Sequence, residues 1–422
     1  MKPRTMTQDE VLARSEILAR QVELDALIAI SFSELDVAVR KWLLVVDPGI
    51  IKLLPAIVVS NKLPRDPVWV FLIGPSGAGK TEFLNAMFDL KEVYPLSLLT
   101  PNTFLSGVNT PTEMSLLPRI NNKILIFKDW TNILSQNKDA RNEIMGQLRE
   151  IYDGHMKKTF GNGKVSEWHG KVGMLAGTTP AIDMAQQMHA TLGERFIHYH
   201  LITPDRKSVA RKALDNSCQI VEMRKELRNA FYSFIKGITI PKTLPIIPDS
   251  VKDEIVSLSN FAALARSGVI REYGMKKEVI FVPAAEMPTR ITQQLDTLAI
   301  SLIIVNNGVF LPEDMKIIYK IALDSIPQTN RMVMAEMARQ DRRTTAEIAM
   351  SIGYPTAPIR MYLENLALLG VCKRIKSNET EEGGIGDRWL LQQEFVEILR
   401  RYDKISPISS EPEEQLTLTN DI

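Results

Sequence analysis

The stretch FLIGPSGAGKTEF, residues 71–83, decides how this chain is read. It passes from an apolar run through a glycine-rich turn into apolar residues at helical spacing. Gly74, Gly79, Lys80 and Thr81 satisfy the spacing G-x-x-x-x-G-K-[ST] in full. Glycines at 74, 77 and 79 let the backbone bend so that several N–H groups face one anion. A helix starting near Lys80 adds the positive end of its dipole. Lys80 is then placed for the β- and γ-phosphates of a nucleotide, and the Thr81 hydroxyl for Mg²⁺. The expected nucleotide-holding set is Gly74, Pro75, Ser76, Gly77, Ala78, Gly79, Lys80, Thr81 and Glu82, with ATP and Mg²⁺ as ligands. Upstream, VWVFLI (68–73) reads as a buried parallel strand. Downstream, TEFLNAMFDL reads as a helix with Phe83, Leu84, Met87 and Phe88 on one face.

The chain has 422 residues, too many for one compact core, so two or three domains are expected. A formal net charge of +1 excludes a wholly basic binder but leaves room for a local basic patch. Cys218 and Cys372 form no CxxC, so neither a disulfide framework nor a cysteine-based zinc site is expected. The histidines, 155, 169, 189, 198 and 200, have no metal-ligand spacing with a partner Cys. No leader-like segment and no apolar run of about 18 residues is found, so the expected compartment is the cytoplasm, with no membrane partner.

Residues 7–46 carry helical periodicity through Leu12, Ile17, Leu24, Leu27 and Ile28, and a short helical stretch at 50–60 follows. Residues 68 to about 203 alternate strands and helices, with strands expected at 68–73, 94–99, 123–127, 171–177 and 195–202. This is an α/β class with a parallel sheet. Residues 205–237 read as helical, 240–284 resist a reading because of their prolines, and 286–305, 312–325 and a segment from about 330 read as helices. Expected divisions are an N-terminal helical segment (1–60), a nucleotide-binding core (61–204), a helical lid (205–335), a C-terminal module (336–400) and a polar, disordered tail (401–422).

Two further signals fall at strand ends. NKILIFKDWTN (121–132) ends an apolar run near Asp129, where a carboxylate could hold the metal, polarise water, or do both through one bridging water. Lys128 precedes it and Trp130 follows, so one carboxylate stands where two are common. KVGMLAGTTP (171–180) ends in Thr178 and Thr179, a polar pair suited to sensing a γ-phosphate at the carboxyl edge of a sheet. Between them, HMKKTFGNGKVSEWHGK (155–171) centres on Gly161-Asn162-Gly163, a hairpin turn signal. Its Lys158, Phe160 and Lys164 offer a phosphate contact and a stacking surface for a nucleic acid; the plain alternative is a solvated, lysine-rich hairpin.

The order of these signals, together with LGERFIHYHLI (192–202) and EMPTRITQQLDTLA (286–299), resembles the AAA+ class of P-loop ATPases. Residues 192–202 look like the arginine-finger segment of minichromosome-maintenance helicases, and the whole arrangement looks more like the compact replication ATPases of phages and mobile elements and is similar in order to superfamily 3 viral helicases. The resemblance implies a parallel-sheet AAA+ core with a helical lid. It implies Arg195 as an arginine finger reaching a neighbour's γ-phosphate, Arg290 as a second-sensor arginine, and Lys80, Asp129 and Thr178 as the hydrolytic group. In that family the hairpin before the first sensor points into a pore and touches DNA. TTAEIAMSIGYPTAPIRMYLENLALLGVCKRIK (344–376) resembles a winged helix, with Arg360, Lys373 and Arg374 as DNA contacts or, alternatively, a module that binds protein or only packs. The expected protein is a homo-oligomeric, hexameric DNA motor driven by ATP. A loader or initiator using ATP as a switch, an ATP-dependent transcription regulator and a small-molecule kinase are the competing expectations.

Overall fold

A computed structural model of the chain describes residues 8–105, 115–183, 194–203, 205–272, 278–376 and 386–405. Most of the tail expected at 401–422 lies outside them, as do the polar loop at 377–385 and residues 192–193 of the arginine segment. The described residues fall into two compact units. The first comprises the described residues within 1–185, 195–249 and 293–311; the second comprises those within 186–194, 250–292 and 312–422.

The first unit is built on β1 (Trp69–Ile73), β2 (Val93–Leu96), β3 (Ile124–Phe127), β4 (His155–Thr159), β5 (Val165–His169), β6 (Gly173–Thr178) and β7 (Phe196–His200). β4 and β5 form a separate antiparallel hairpin. The other five make one parallel sheet in the order β2-β3-β6-β1-β7. Every residue of β1, β3 and β6 is buried, as an apolar run covered on both faces requires. An aromatic cluster fills one face. Phe71 stacks on Phe196 at 3.9 Å between ring centroids, and Trp130 meets Phe71 edge-on at 5.2 Å. Trp69 satisfies its indole N–H on the carbonyl of Val172 at 2.7 Å.

Local chemistry sets the element ends. Ser31 and Glu34 form a reciprocal capping box that starts the helix Phe32–Trp42 after a break at 27–30. The helix Gly49–Lys62 is buried around nearly its whole circumference, as its composition (GIIKLLPAIVVSNK) demands. Of the periodic positions in the first helix, Gln8–Ala26, Leu24 is buried, whereas Leu12 and Ile17 are exposed. The helix after the glycine loop is shorter than its periodicity suggests: it runs over Lys80–Asn85, and turns follow at 86–89. β2 lies at Val93–Leu96 rather than 94–99.

The second unit holds the helices Asp249–Arg266, Pro312–Asp324, Gln328–Arg339, Thr345–Ser351, Thr356–Leu368 and Gln393–Ile405. It also holds the short antiparallel pair β8 (Ile270–Arg271) and β9 (Val279–Phe281), and a sheet of β10 (Arg343–Thr344), β11 (Cys372–Ile375) and β12 (Arg388–Leu391) in the order β10-β12-β11. Thr344 and Glu347 cap the helix Thr345–Ser351 reciprocally. Gly353 and Gly370, both at positive φ, follow that helix and the helix Thr356–Leu368, where only glycine turns the chain at no steric cost. Helix Thr289–Val305 starts in the second unit and continues in the first. Among the described residues no helix is long and apolar enough to cross a membrane.

Candidate functional site

The register of the sheet brings the sequence signals to one edge. Ile73 pairs with Thr178, and Phe127 pairs with Ala176. Asp129 is two residues past Phe127 and Thr178 two past Ala176, so both stand level on adjacent strands. Gly74 begins the loop on the next strand over. With strands about 4.8 Å apart, the three ends span roughly 10 Å of the carboxyl edge.

Backbone hydrogen bonds fasten these ends together. Gly74 N–H donates to the Thr178 carbonyl at 3.2 Å, and Trp130 N–H donates to the Gly177 carbonyl at 2.8 Å. Gly177 is required by close approach: a Cβ there would lie 2.7 Å from the Lys128 carbonyl oxygen. Trp130 anchors this corner through its buried ring, so its position after the acid serves packing.

In the loop, Gly77 and Gly79 adopt φ of +83° and +81°. A Cβ at either would meet nothing within 4 Å, so conformation rather than crowding selects glycine. Gly74 differs from the sequence expectation. Its φ is not left-handed, and a Cβ would make ordinary contacts with Ala78 and Leu201. Pro75, Ser76 and Gly77 are exposed, as is Thr81 in the first helical turn. Lys80 is buried, and its Nζ donates to the carbonyls of Gly74 at 2.6 Å and Pro75 at 2.8 Å. Burial lowers its pKa, and the charge of Asp129 partly opposes the shift.

Asp129 is exposed, and its Oδ1 accepts the Thr131 N–H at 2.9 Å. Lys128 is directed onto the ring of Phe88, its Nζ 4.9 Å from the centroid. Thr178 is buried. Glu82, expected among the nucleotide-holding residues, is paired bidentately with Arg224 at 3.0 and 2.7 Å, an anchor for the loop helix that no local motif announces.

The arginines are held elsewhere. Arg195 precedes β7, whose Phe196 pairs with Trp69 at the amino end of β1. It therefore lies about one strand length, roughly 16 Å, from its own glycine loop. Its guanidinium meets Asp153 at 3.2 Å, and Gln294 donates to its carbonyl at 2.6 Å. Arg290 belongs to the second unit, where it shares Glu286 with the buried Arg266.

The hairpin folds about its predicted turn, with Gly163 at φ +78° and Phe160 N–H on the Lys164 carbonyl at 2.9 Å. Its two faces differ. Met156, Lys158, Phe160 and Trp168 face inward: Lys158 bonds Glu143 and the Pro101 carbonyl, each at 3.2 Å, and Phe160 packs on the core. Lys164 is half-buried at the turn. Lys171 is drawn away from the lysine cluster, onto the carbonyls of Ser60 and Leu63 at the end of helix Gly49–Lys62. The outward face carries His155, Lys157, Glu167 and His169, a grouping that no short motif marks.

In the second unit Arg360 and Lys373 are exposed. Arg374 pairs with Asp387 across the strands and lies over Trp389. The helix Thr356–Leu368 is tied by Glu364 and Asn365 to Arg271.

No protein-family model matches the chain, and no curated protein matches it.

Proposed function

We propose that this chain is a Mg²⁺-dependent P-loop ATPase of the AAA+ type that acts on DNA as a homo-oligomeric ring. The observation that carries the reading is the convergence of Lys80, Asp129 and Thr178 on one edge of a parallel sheet. What supports a triphosphate as ligand is that two left-handed glycines turn the loop backbone and Lys80 stands beside exposed loop residues. Lys80 would exchange a loop carbonyl for a phosphate oxygen. Thr81 and Asp129 would hold Mg²⁺, which supplies charge neutralisation on the β- and γ-phosphates. The second carboxylate oxygen of Asp129 would orient water, with Thr178 level with it on the neighbouring strand.

Arg195 supports the oligomeric part. A guanidinium a strand length from its own loop stabilises charge only on a phosphate bound to a second copy. The hairpin, with Lys164 at its turn, is the proposed strand contact. The antiparallel sheet and helices around Arg360, Lys373 and Arg374 are the proposed winged-helix module. The test is ATP turnover by wild type and Lys80→Ala, with and without single-stranded DNA.

A second reading rests on Asp129. A single exposed carboxylate with one oxygen already bonded to Thr131 suits slow hydrolysis, as in a loader or initiator that uses ATP as an assembly switch. Slow turnover that DNA leaves unchanged would favour it.

A further inference from the structure

The geometry points to a divalent transition-metal site of zinc class on the outward face of the β4–β5 hairpin, with His155, Glu167 and His169 as its three protein ligands.

The hairpin pairs His155 directly opposite His169, and its pleat puts Glu167 on the same face. One ligand atom from each of the three residues lies within 4.8 Å of the others. Both imidazoles address one carboxylate oxygen: Glu167 Oε1 is 3.0 Å from His155 Nε2 and 3.4 Å from His169 Nε2. Four ligands at about 2.0–2.1 Å from a tetrahedral zinc stand roughly 3.3–3.4 Å from one another, so the His169 edge already has that size and the His155 edge, at 3.0 Å, has to open by a few tenths of an ångström. The rings lie 4.4 Å apart at their centroids with 26° between planes. The third edge, between the two imidazoles, lies within 4.8 Å, and a tilt of the half-buried His155 and the exposed His169 would close it.

Glu167 supplies the carboxylate of the set. Lys157 Nζ lies 3.1 Å from Oε2, which leaves Oε1 for the metal and orients the group from behind. Two imidazoles and one carboxylate with an open fourth position suit Zn²⁺, and nickel or copper next, better than Mg²⁺ or Ca²⁺. Such an ion would clamp the two strands at the base of the hairpin. The assignment does not depend on the nucleotide reading.

The test is a titration of the full chain, free of nucleotide, with Co²⁺ alone, followed by Zn²⁺ displacement. The expected result is one equivalent giving the visible absorption of a tetrahedral or five-coordinate Co²⁺ site, displaced by Zn²⁺. His155→Ala, His169→Ala and Glu167→Gln should each weaken binding more than about tenfold while leaving the circular dichroism unchanged. Zn²⁺ affinity that survives loss of both imidazoles, or no stoichiometric binding by wild type, would overturn the assignment.

Discussion

The backbone N–H of Trp130 donates to the carbonyl of Gly177 at 2.8 Å, so the acid at 129 is fastened one residue away to the strand that ends in Thr178. The bond exists because Gly177 lets the Lys128 carbonyl approach where a Cβ would stand 2.7 Å from it. Gly177→Ala must move the 128–129 backbone. Overpacking of this kind costs about 1–3 kcal/mol. The expected outcome is a lower denaturation midpoint together with a loss of ATP turnover larger than the loss of ATP binding. Unchanged turnover would show that this corner does not position the acid.

How much of this was legible in the sequence varies by element. The loop, its strand and the hairpin turn follow from local chemistry, because Gly-Lys-Thr spacing and Gly-Asn-Gly each act within a few residues. The helix Asp249–Arg266 did not emerge: prolines at 241, 245 and 248 obscure a helix that begins directly after the last of them. Arg224 on Glu82 and Asp153 on Arg195 are pairs distant in sequence, and no periodicity encodes them. The histidine pair was half legible. His155 and His169 each lie seven residues from Asn162, the centre of the turn, so the hairpin itself predicts that they face each other. No cysteine accompanies them, so a cysteine-based zinc spacing does not mark the pair.

The hairpin separates two kinds of lysine. Lys158 is tied to Glu143 and Pro101, and its replacement by Ala should cost about 0.5–1 kcal/mol of stability. Lys164→Ala should leave basal ATP turnover intact and remove its stimulation by single-stranded DNA. Paired melting curves and stimulated rates distinguish them; full stimulation in Lys164→Ala would remove the hairpin from the DNA path.

Arg195 invites a mixing experiment. Lys80→Ala and Arg195→Ala should each be inactive alone. In an equimolar ring, about a quarter of interfaces would join an intact loop to an intact Arg195, so turnover should return to about that fraction. Mixtures that stay inactive under conditions where subunits exchange would argue against action between copies.

Lys171 gives a pH signature. Burial lowers its pKa to about 8 from the ordinary 10.5, with Asp66 opposing. The unfolded chain holds this proton more tightly, so between about pH 8 and 10.5 it binds more protons than the folded chain. Stability from this group therefore rises with pH across that window; below pH 8 the cost of burying the charge is borne in full. Allowing for partial exposure, the gain is about 1–2 kcal/mol. Nitrogen-15 NMR of the lysine side chains should show one midpoint near 8; a midpoint in the ordinary lysine range would contradict this.

The proposed activity requires the glycine loop to hold and turn over a nucleotide. Steady-state ATP hydrolysis by wild type and Lys80→Ala, each with and without single-stranded DNA, tests it most directly. The predicted result is turnover by wild type that rises strongly with DNA and disappears in Lys80→Ala. Wild type that neither binds nor hydrolyses ATP, or a Lys80→Ala rate equal to wild type, would contradict it.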